Sequence, residues 1–433
     1  MPSILSEVTE DAGTRRRFED AEWIDSYLKA GSPHGEPIYL SVGETWSQAP
    51  DGLIRLLSEK APPYVHGYVI SQYGLPVLQR VLRAYIPRTA GIPDTCAAGA
   101  DFEVAVACSG TRASMSDFGW LVREEARDRP VVIAPAPGWD YHGVFSGQGF
   151  RFRYLPLRVE DGFQPRPADV EAVLREEADP RDAVVVVNAQ HNPTGVNWST
   201  DNVRRILAAA VDAGAHILID DAYFGVTDPG VAPTSAPRLL LEEFPRLEGR
   251  WLAVRSLGKQ FNCNGWGVGA VTGSPDTVDR LVNDHMARRS FTCAVPLQHA
   301  MAQWLRSEES DQYLEGFRRA CAEHRALVGD FLVRELGYPA DSFLPGDCTS
   351  YLVFPVPPAY QEHADGVDRY RRACFDRSGV LLGAGTMTPQ SADGEDAPDP
   401  FPFVRMFLAP PRDTVVSALR RLGSARLSWS SPC

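Results

Sequence analysis

The stretch Ala183-Val184-Val185-Val186-Val187-Asn188 carries no polar side chain until its last position. A strand with one face in water alternates polar with apolar residues, so this unbroken run predicts a strand covered on both faces. Similar runs recur at Glu103–Cys108, Pro130–Ala134, Phe150–Leu157, His216–Asp220, Trp251–Ser256 and Gly267–Thr272. Helical spacing precedes the first of them at Leu75–Tyr85 and separates others, from Arg112 through Val122 and at Asp201–Ala213. Strand–helix alternation of this kind predicts a large α/β domain with a mostly parallel sheet covered by helices. The last third changes character. Helical patterns at Gln298–Arg306 and Asp311–Glu335 precede short strands at Ser350–Val356, Gly379–Leu382 and Val404–Leu408, a smaller α+β domain. Phe18–Lys29 reads as a helix and Pro37–Gly43 as a strand. The expected division is an arm over 1–55 joining the small domain, a large domain over 56–305 and a small domain over 306–433. Gly383–Pro400, rich in glycine and acids, reads as a mobile loop.

Composition narrows the function classes. With 44% hydrophobic and 23% charged residues the chain is that of an ordinary globular protein. No apolar run approaches the ~20 residues of a bilayer span, and no apolar stretch follows the basic cluster Arg15–Arg17 as in a signal peptide. A net charge of −13 opposes nucleic acid and anionic membrane as partners. The eight cysteines form no Cys-x-x-Cys pair and the nine histidines show no metal-ligand spacing, so no metal is expected and a cytoplasmic location is.

In an open α/β sheet the ligand lies at the carboxyl ends of the strands. Ser109-Gly110-Thr111 follows the first run and opens a helix, which makes either a phosphate cradle or an ordinary cap. Trp139, after a proline turn, offers a flat face to a ring or packs as a plain aromatic. His191-Asn192-Pro193-Thr194-Gly195 is a tight polar turn that a cis Asn-Pro bond would suit. Asp220-Asp221-Ala222-Tyr223 puts carboxylates beyond a buried run, where each needs a partner. Ser256 and Lys259 end the sixth run. Only three of the 43 basic residues are lysines, and an arginine cannot replace an amine that must lose its proton and attack a carbonyl. A phosphate cradle, an aromatic face, an amide, an acid, a phenol and a lysine together describe a site for pyridoxal 5′-phosphate.

On these motifs the chain resembles the class I/II aminotransferases of pyridoxal-phosphate fold type I. They run in family order: Leu40-Ser41-Val42-Gly43-Glu44, Tyr73-Gly74-Leu75-Pro76, Ser109-Gly110-Thr111, Pro137-Gly138-Trp139, His191 to Gly195, Asp220 to Tyr223, Ser256 to Lys259, and Arg405. The resemblance implies that Lys259 forms the Schiff base and that Asp220 binds the pyridine nitrogen. It gives Asn192 and Tyr223 the ring 3-oxygen, Trp139 the ring face, and Ser109, Gly110, Thr111 and Ser256 the phosphate. Arg405 and Gly43 fall to the substrate, with Arg405 on its α-carboxylate. It also implies an amino-acid substrate and a homodimer with shared sites.

The chain departs from the pattern in places. An arginine is expected eight residues after the lysine, where Gly267 stands. Arg112 is the candidate to supply that charge, ahead of Arg255; the other reading of Arg112 is a solvent-facing helix arginine. Tyr68 lies one residue out of register with the family's tyrosine, and Gly258 and Gln190 replace a usual Ser and Pro. Arg288 and Arg289 read as surface residues or as reaching a substrate or partner-subunit site. Transamination is the expected reaction. The alternative is a non-transaminating reaction of secondary metabolism, namely β- or γ-elimination, cyclisation or decarboxylative oxidation. A regulator with an aminotransferase-like effector domain is disfavoured, because the match begins near residue 40 and the charge is wrong for DNA.

Overall fold

The computed structural model describes residues 19–42, 49–59, 61–244, 249–389 and 398–433. Its larger sheet has seven strands: β2 (Glu103–Ala107), β3 (Val131–Ala136), β4 (Arg151–Pro156), β5 (Ala183–Val187), β6 (His216–Asp220), β7 (Trp251–Ser256) and β8 (Gly269–Gly273). Their order is β2-β8-β7-β6-β5-β3-β4. Every residue of β2, β3, β5 and β6 is buried. Side chains alternate across a strand, so burial at consecutive positions means cover on both faces, as the valine run requires.

Only β8 runs against the rest of the sheet, and this decides the site. It pairs antiparallel with β2 and β7, with Ala107 and Ser256 both opposite Gly269. The beginning of β8 therefore reaches the same edge as the ends of β2 and β7. Asp220, at the end of β6, pairs with Val254 two residues short of Ser256.

The second sheet has the order β1-β10-β11-β9, from β1 (Ile38–Leu40), β9 (Tyr351–Pro355), β10 (Val380–Ala384) and β11 (Phe403–Phe407). The helix Glu19–Lys29 packs Trp23, Ile24 and Tyr27 on Phe375 and Leu381. Arg405, in the central strand β11, sits opposite Gly383 and Val353. The expected loop Gly383–Pro400 needs correction at its start. Gly383 and Ala384 belong to β10, the Gly385 amide donates to Phe403 O at 2.8 Å, and the Met387 amide donates to Gly138 O at 3.0 Å. Residues 390–397 of that segment lie outside the described residues. Continued pairing with β11 outweighs the turn-forming composition.

One arginine joins the two sheets. Arg325, buried in the helix Glu308–Arg334, donates to the carbonyls of Cys348 at 2.9 Å, Thr349 at 2.8 Å and Tyr351 at 2.6 Å. Its Nε also meets Asp228 at 3.3 Å. Against the same corner, Gly195 O accepts from the amides of Asp347 at 2.8 Å and Cys348 at 2.9 Å. Gly195 has φ +71°, and a Cβ there would lie 2.9 Å from Tyr351 O. Only glycine lets the two segments approach so closely.

Candidate active site

The ends of β2, β5, β6 and β7 gather most of the residues singled out above. Gly110, with φ +83°, precedes the helix Thr111–Glu125, so the first amides of that helix are open to an anion. Ser109 is exposed beside them, its hydroxyl 3.6 Å from Cys293 Sγ. Ser256 caps the next turn by accepting from the Lys259 amide at 3.4 Å. Gly267, with φ +61°, lies against this loop, and a Cβ on it would be 3.7 Å from the Gly110 nitrogen. The position where an arginine was expected is thus beside the cradle, as the register of β8 demands.

Asp220 is buried at the floor of the group. Tyr141 donates to its Oδ2 at 2.8 Å and the Ala222 amide to its Oδ1 at 3.1 Å. Burial raises its pKa above the usual carboxylate value, and the two donors and the Lys259 charge oppose that rise. Asn188 fixes the strand end by donating to Asp220 O at 2.6 Å while its own oxygen accepts from the Asn192 amide at 2.9 Å. The Asn192–Pro193 bond is cis, as the turn suggested, and so is Ala136–Pro137. His191 serves as a peg. It stacks on Trp198 at 5.1 Å and meets Thr194 Oγ1 at 2.7 Å, and burial lowers its pKa to about 3, so it is neutral.

Arg405 Nη1 donates to Asn192 Oδ1 at 2.8 Å and its Nη2 to Ser41 O at 3.3 Å. Its buried Nε has no partner among the described residues. The guanidinium lies over the ring of Tyr351, 4.1 Å from the centroid. Lys259 is half-buried with its Nζ 5.5 Å from the centroid of Tyr223, and the Tyr223 hydroxyl donates to that of Tyr351 at 3.2 Å.

Other expectations fare differently. Gly43 lies outside the described residues. Arg112 is turned to Asp140, with which it forms an ion pair at 2.5 Å, and to the face of Trp139 at 5.0 Å, its side chain half exposed. Arg255 is buried against Asp221 at 3.5 Å and Thr89 at 2.7 Å, away from the cradle. Arg289 is exposed, as the surface reading has it, and grips Asp117 through two bonds, at 3.1 and 2.6 Å. Arg288 is exposed and meets Glu124. Tyr68 is 86% exposed and edge-on to Phe291, also exposed, at 5.7 Å. Gly258 now has a reason, since a Cβ there would fall 2.8 Å from Asn264 Cα. Gln190 bridges Asn197 and Thr234.

Sequence reasoning missed Tyr141, Asn188 and Tyr351. Tyr141 was within reach, two residues beyond Trp139 in the same turn. Tyr351 carried no signal, because only the long-range docking of β9 brings it here.

Comparison with known proteins bears on the family and the fold. A family model described as aminotransferase class I and II matches residues 100–364. The LL-diaminopimelate aminotransferase of Desulforudis audaxviator is 25% identical over 387 residues, 89% of each chain. A valine–pyruvate aminotransferase of Mycobacterium tuberculosis is 24% identical over 405 residues, 93% of this chain and 95% of its own. Among solved structures, the N-succinyldiaminopimelate aminotransferase of M. tuberculosis superposes with a TM-score of 0.72 at 22% identity, covering 94% of this chain and 96% of that one.

Proposed function

The chain belongs to the class I and II aminotransferases, which use pyridoxal 5′-phosphate, and from that premise we propose that it transfers the amino group of an α-amino acid through Lys259. When bound, the cofactor supplies an electron sink for a bond broken at Cα. The observation that carries the reading is the pairing of β6 with β7, which puts Asp220 within the electrostatic reach of Lys259. The donor set suits the cofactor in each part. Open amides of the helix at Gly110 and the hydroxyls of Ser109, Thr111 and Ser256 suit a phosphate. The Asp220 carboxylate suits a pyridinium nitrogen, Asn192 and Tyr223 a phenolic oxygen, and Trp139 a ring face. Arg405, whose buried Nε has no partner among the described residues, offers a fork to the substrate carboxylate. Lys259 is the group to hold and move the Cα proton, since its amine is the only lysine amine at this edge among the described residues.

Two copies are part of the proposal. Tyr64, Tyr68, Ile70 and Phe291 are exposed, and Phe291 lies two residues before Cys293, which touches Ser109. An apolar surface beside a site suits burial by a second copy. The division into 1–55, 56–305 and 306–433 belongs here too, supported by β1 joining the four-stranded sheet. The eight cysteines form no disulfide among the described residues, which supports a cytoplasmic location, and no described helix is long and apolar enough to cross a membrane.

A specific observation favours the alternative of elimination, cyclisation or oxidation: Gly267 leaves open the cradle flank that the family fills with arginine. The deciding experiment incubates the pyridoxal-phosphate-loaded protein with an amino-acid panel, with and without a keto acid. Keto product that depends on the acceptor supports transfer. Ammonia released without an acceptor overturns it in favour of the alternative, and Lys259→Ala should abolish either activity.

A further inference from the structure

We infer that Tyr351 is a positioning residue of this site, which tunes Tyr223 through its hydroxyl and holds Arg405 through its ring. This rests on the reading above, in which Tyr223 faces the cofactor 3-oxygen and Arg405 the substrate carboxylate. Tyr351 is buried at the start of β9 and touches both groups: its hydroxyl lies 3.2 Å from that of Tyr223, and its centroid 4.1 Å from the Arg405 guanidinium. Its ring is packed edge-on against Tyr223 at 5.7 Å and tilted on Phe407 at 5.8 Å. Its backbone is pinned separately, by Arg325 on its carbonyl and by Thr349 Oγ1 on its amide at 3.2 Å. The side chain therefore has one seat, fixed by the corner that joins the two sheets.

In the structure the Tyr223 hydroxyl donates to Tyr351. Hydroxyl hydrogens rotate to suit their partners. With an oxyanion in front of it, Tyr223 turns its proton outward and accepts from Tyr351 instead. A donor that is itself accepting a hydrogen bond donates more strongly. Tyr351 thus sets how much negative charge Tyr223 draws from the 3-oxygen. Independently, a cation resting on an aromatic face is held in that plane, which orients the fork of Arg405.

The two parts separate by substitution. Tyr351→Phe keeps the ring and removes only the hydroxyl. With Tyr223 a weaker donor, the 3-oxygen keeps more charge beside the Schiff-base nitrogen, which then holds its proton to higher pH. The midpoint of the pH-dependent visible absorbance of the loaded protein should rise by roughly half a pH unit. Affinity for acetate, a simple carboxylate probe followed by the same absorbance, should change less than twofold. Tyr351→Leu removes both contacts; it should shift the midpoint similarly and weaken acetate binding by about fivefold. An unmoved midpoint in Tyr351→Phe, or unchanged acetate affinity in Tyr351→Leu, overturns the inference while the wild type still binds pyridoxal phosphate normally. A wild type that gives no visible cofactor absorbance, or a Lys259→Ala variant that keeps it, overturns the underlying reading instead. Tyr351→Phe is nearly isosteric and leaves the Arg325 contacts to the backbone in place, and an unchanged thermal midpoint serves as its folding control.

Discussion

Tyr141 donates a 2.8 Å hydrogen bond to Asp220 Oδ2, and both residues are buried. The bond opposes the effect of burial, which raises the Asp220 pKa above 3.8. The ionised form is the one that would pair with a pyridinium. Cofactor affinity should therefore fall on acidification, and at a higher pH than an ordinary carboxylate would give.

Tyr141→Phe should weaken that affinity at neutral pH by about tenfold, the worth of a hydrogen bond to a charged group. It should also move the acid loss of affinity further up the pH scale, since the remaining shift is that of burial. Fluorescence titration of the apoprotein with pyridoxal phosphate, repeated across pH, measures both. Equal affinity and an unmoved pH profile would remove Tyr141 from the site.

Arg405→Lys tests the carboxylate fork. Lysine keeps the charge but cannot bridge Asn192 Oδ1 and a substrate carboxylate in one plane. kcat/KM should fall by about ten- to a hundredfold, a loss of about 1.5–3 kcal/mol, with cofactor affinity changed less than threefold. A comparable loss of cofactor would place Arg405 elsewhere in the chemistry.

The buried pair behind the site makes a stability prediction. Asp221 is raised to about 6 by burial in spite of Arg255, 3.5 Å away. A carboxyl raised in the folded state contributes stability that is full below its unfolded value and lost as pH rises through the folded one. Its contribution therefore disappears between about 4 and 6. Arg255→Met strands the carboxylate and should cost about 3–5 kcal/mol at pH 8. The cost should be smaller at pH 5, where Asp221 takes up a proton. Urea unfolding of the apoprotein at the two values reads this. Equal losses would show that the charge of Asp221 is not what Arg255 serves.

Much of this arrangement was legible from the chain. Unbroken apolar runs mark strands covered on both faces, and their polar ends mark the edge where Asp220, Asn192 and Ser256 meet. Arg405 was legible by resemblance. What the chain does not display is set by long-range pairing. The reversed β8 carries Gly267 to the cradle, and β9 carries Tyr351 under Arg405. Charge pairing is equally hidden: Arg112 at a helix start looks available to a phosphate, yet Asp140 lies 28 residues away in sequence and holds it. The polar helices Gly366–Ser378 and Arg412–Ser424 escaped for another reason, their apolar stripes being narrow.

Gly267 gives the sharpest test of how the phosphate charge is met. Its φ of +61° is a conformation that side chains with a Cβ rarely adopt, while the space around it is ordinary, 3.7 Å to the Gly110 nitrogen. Gly267→Ala should therefore cost only the backbone strain, about 1–2 kcal/mol, visible as a modest fall in thermal midpoint. Gly267→Arg carries the same strain but brings a guanidinium to the cradle, and should tighten pyridoxal phosphate roughly tenfold or more. Arg112→Ala, by contrast, removes a group already paired with Asp140 and should change cofactor affinity less than threefold. Turnover then decides what the glycine is for. If Gly267→Arg binds cofactor more tightly yet loses activity on its substrate, the open flank is part of the substrate site. If activity is kept, the flank is only a missing charge. If cofactor affinity is unmoved by Gly267→Arg and falls sharply in Arg112→Ala, the phosphate draws Arg112 away from Asp140, and the ion pair seen here is its resting position.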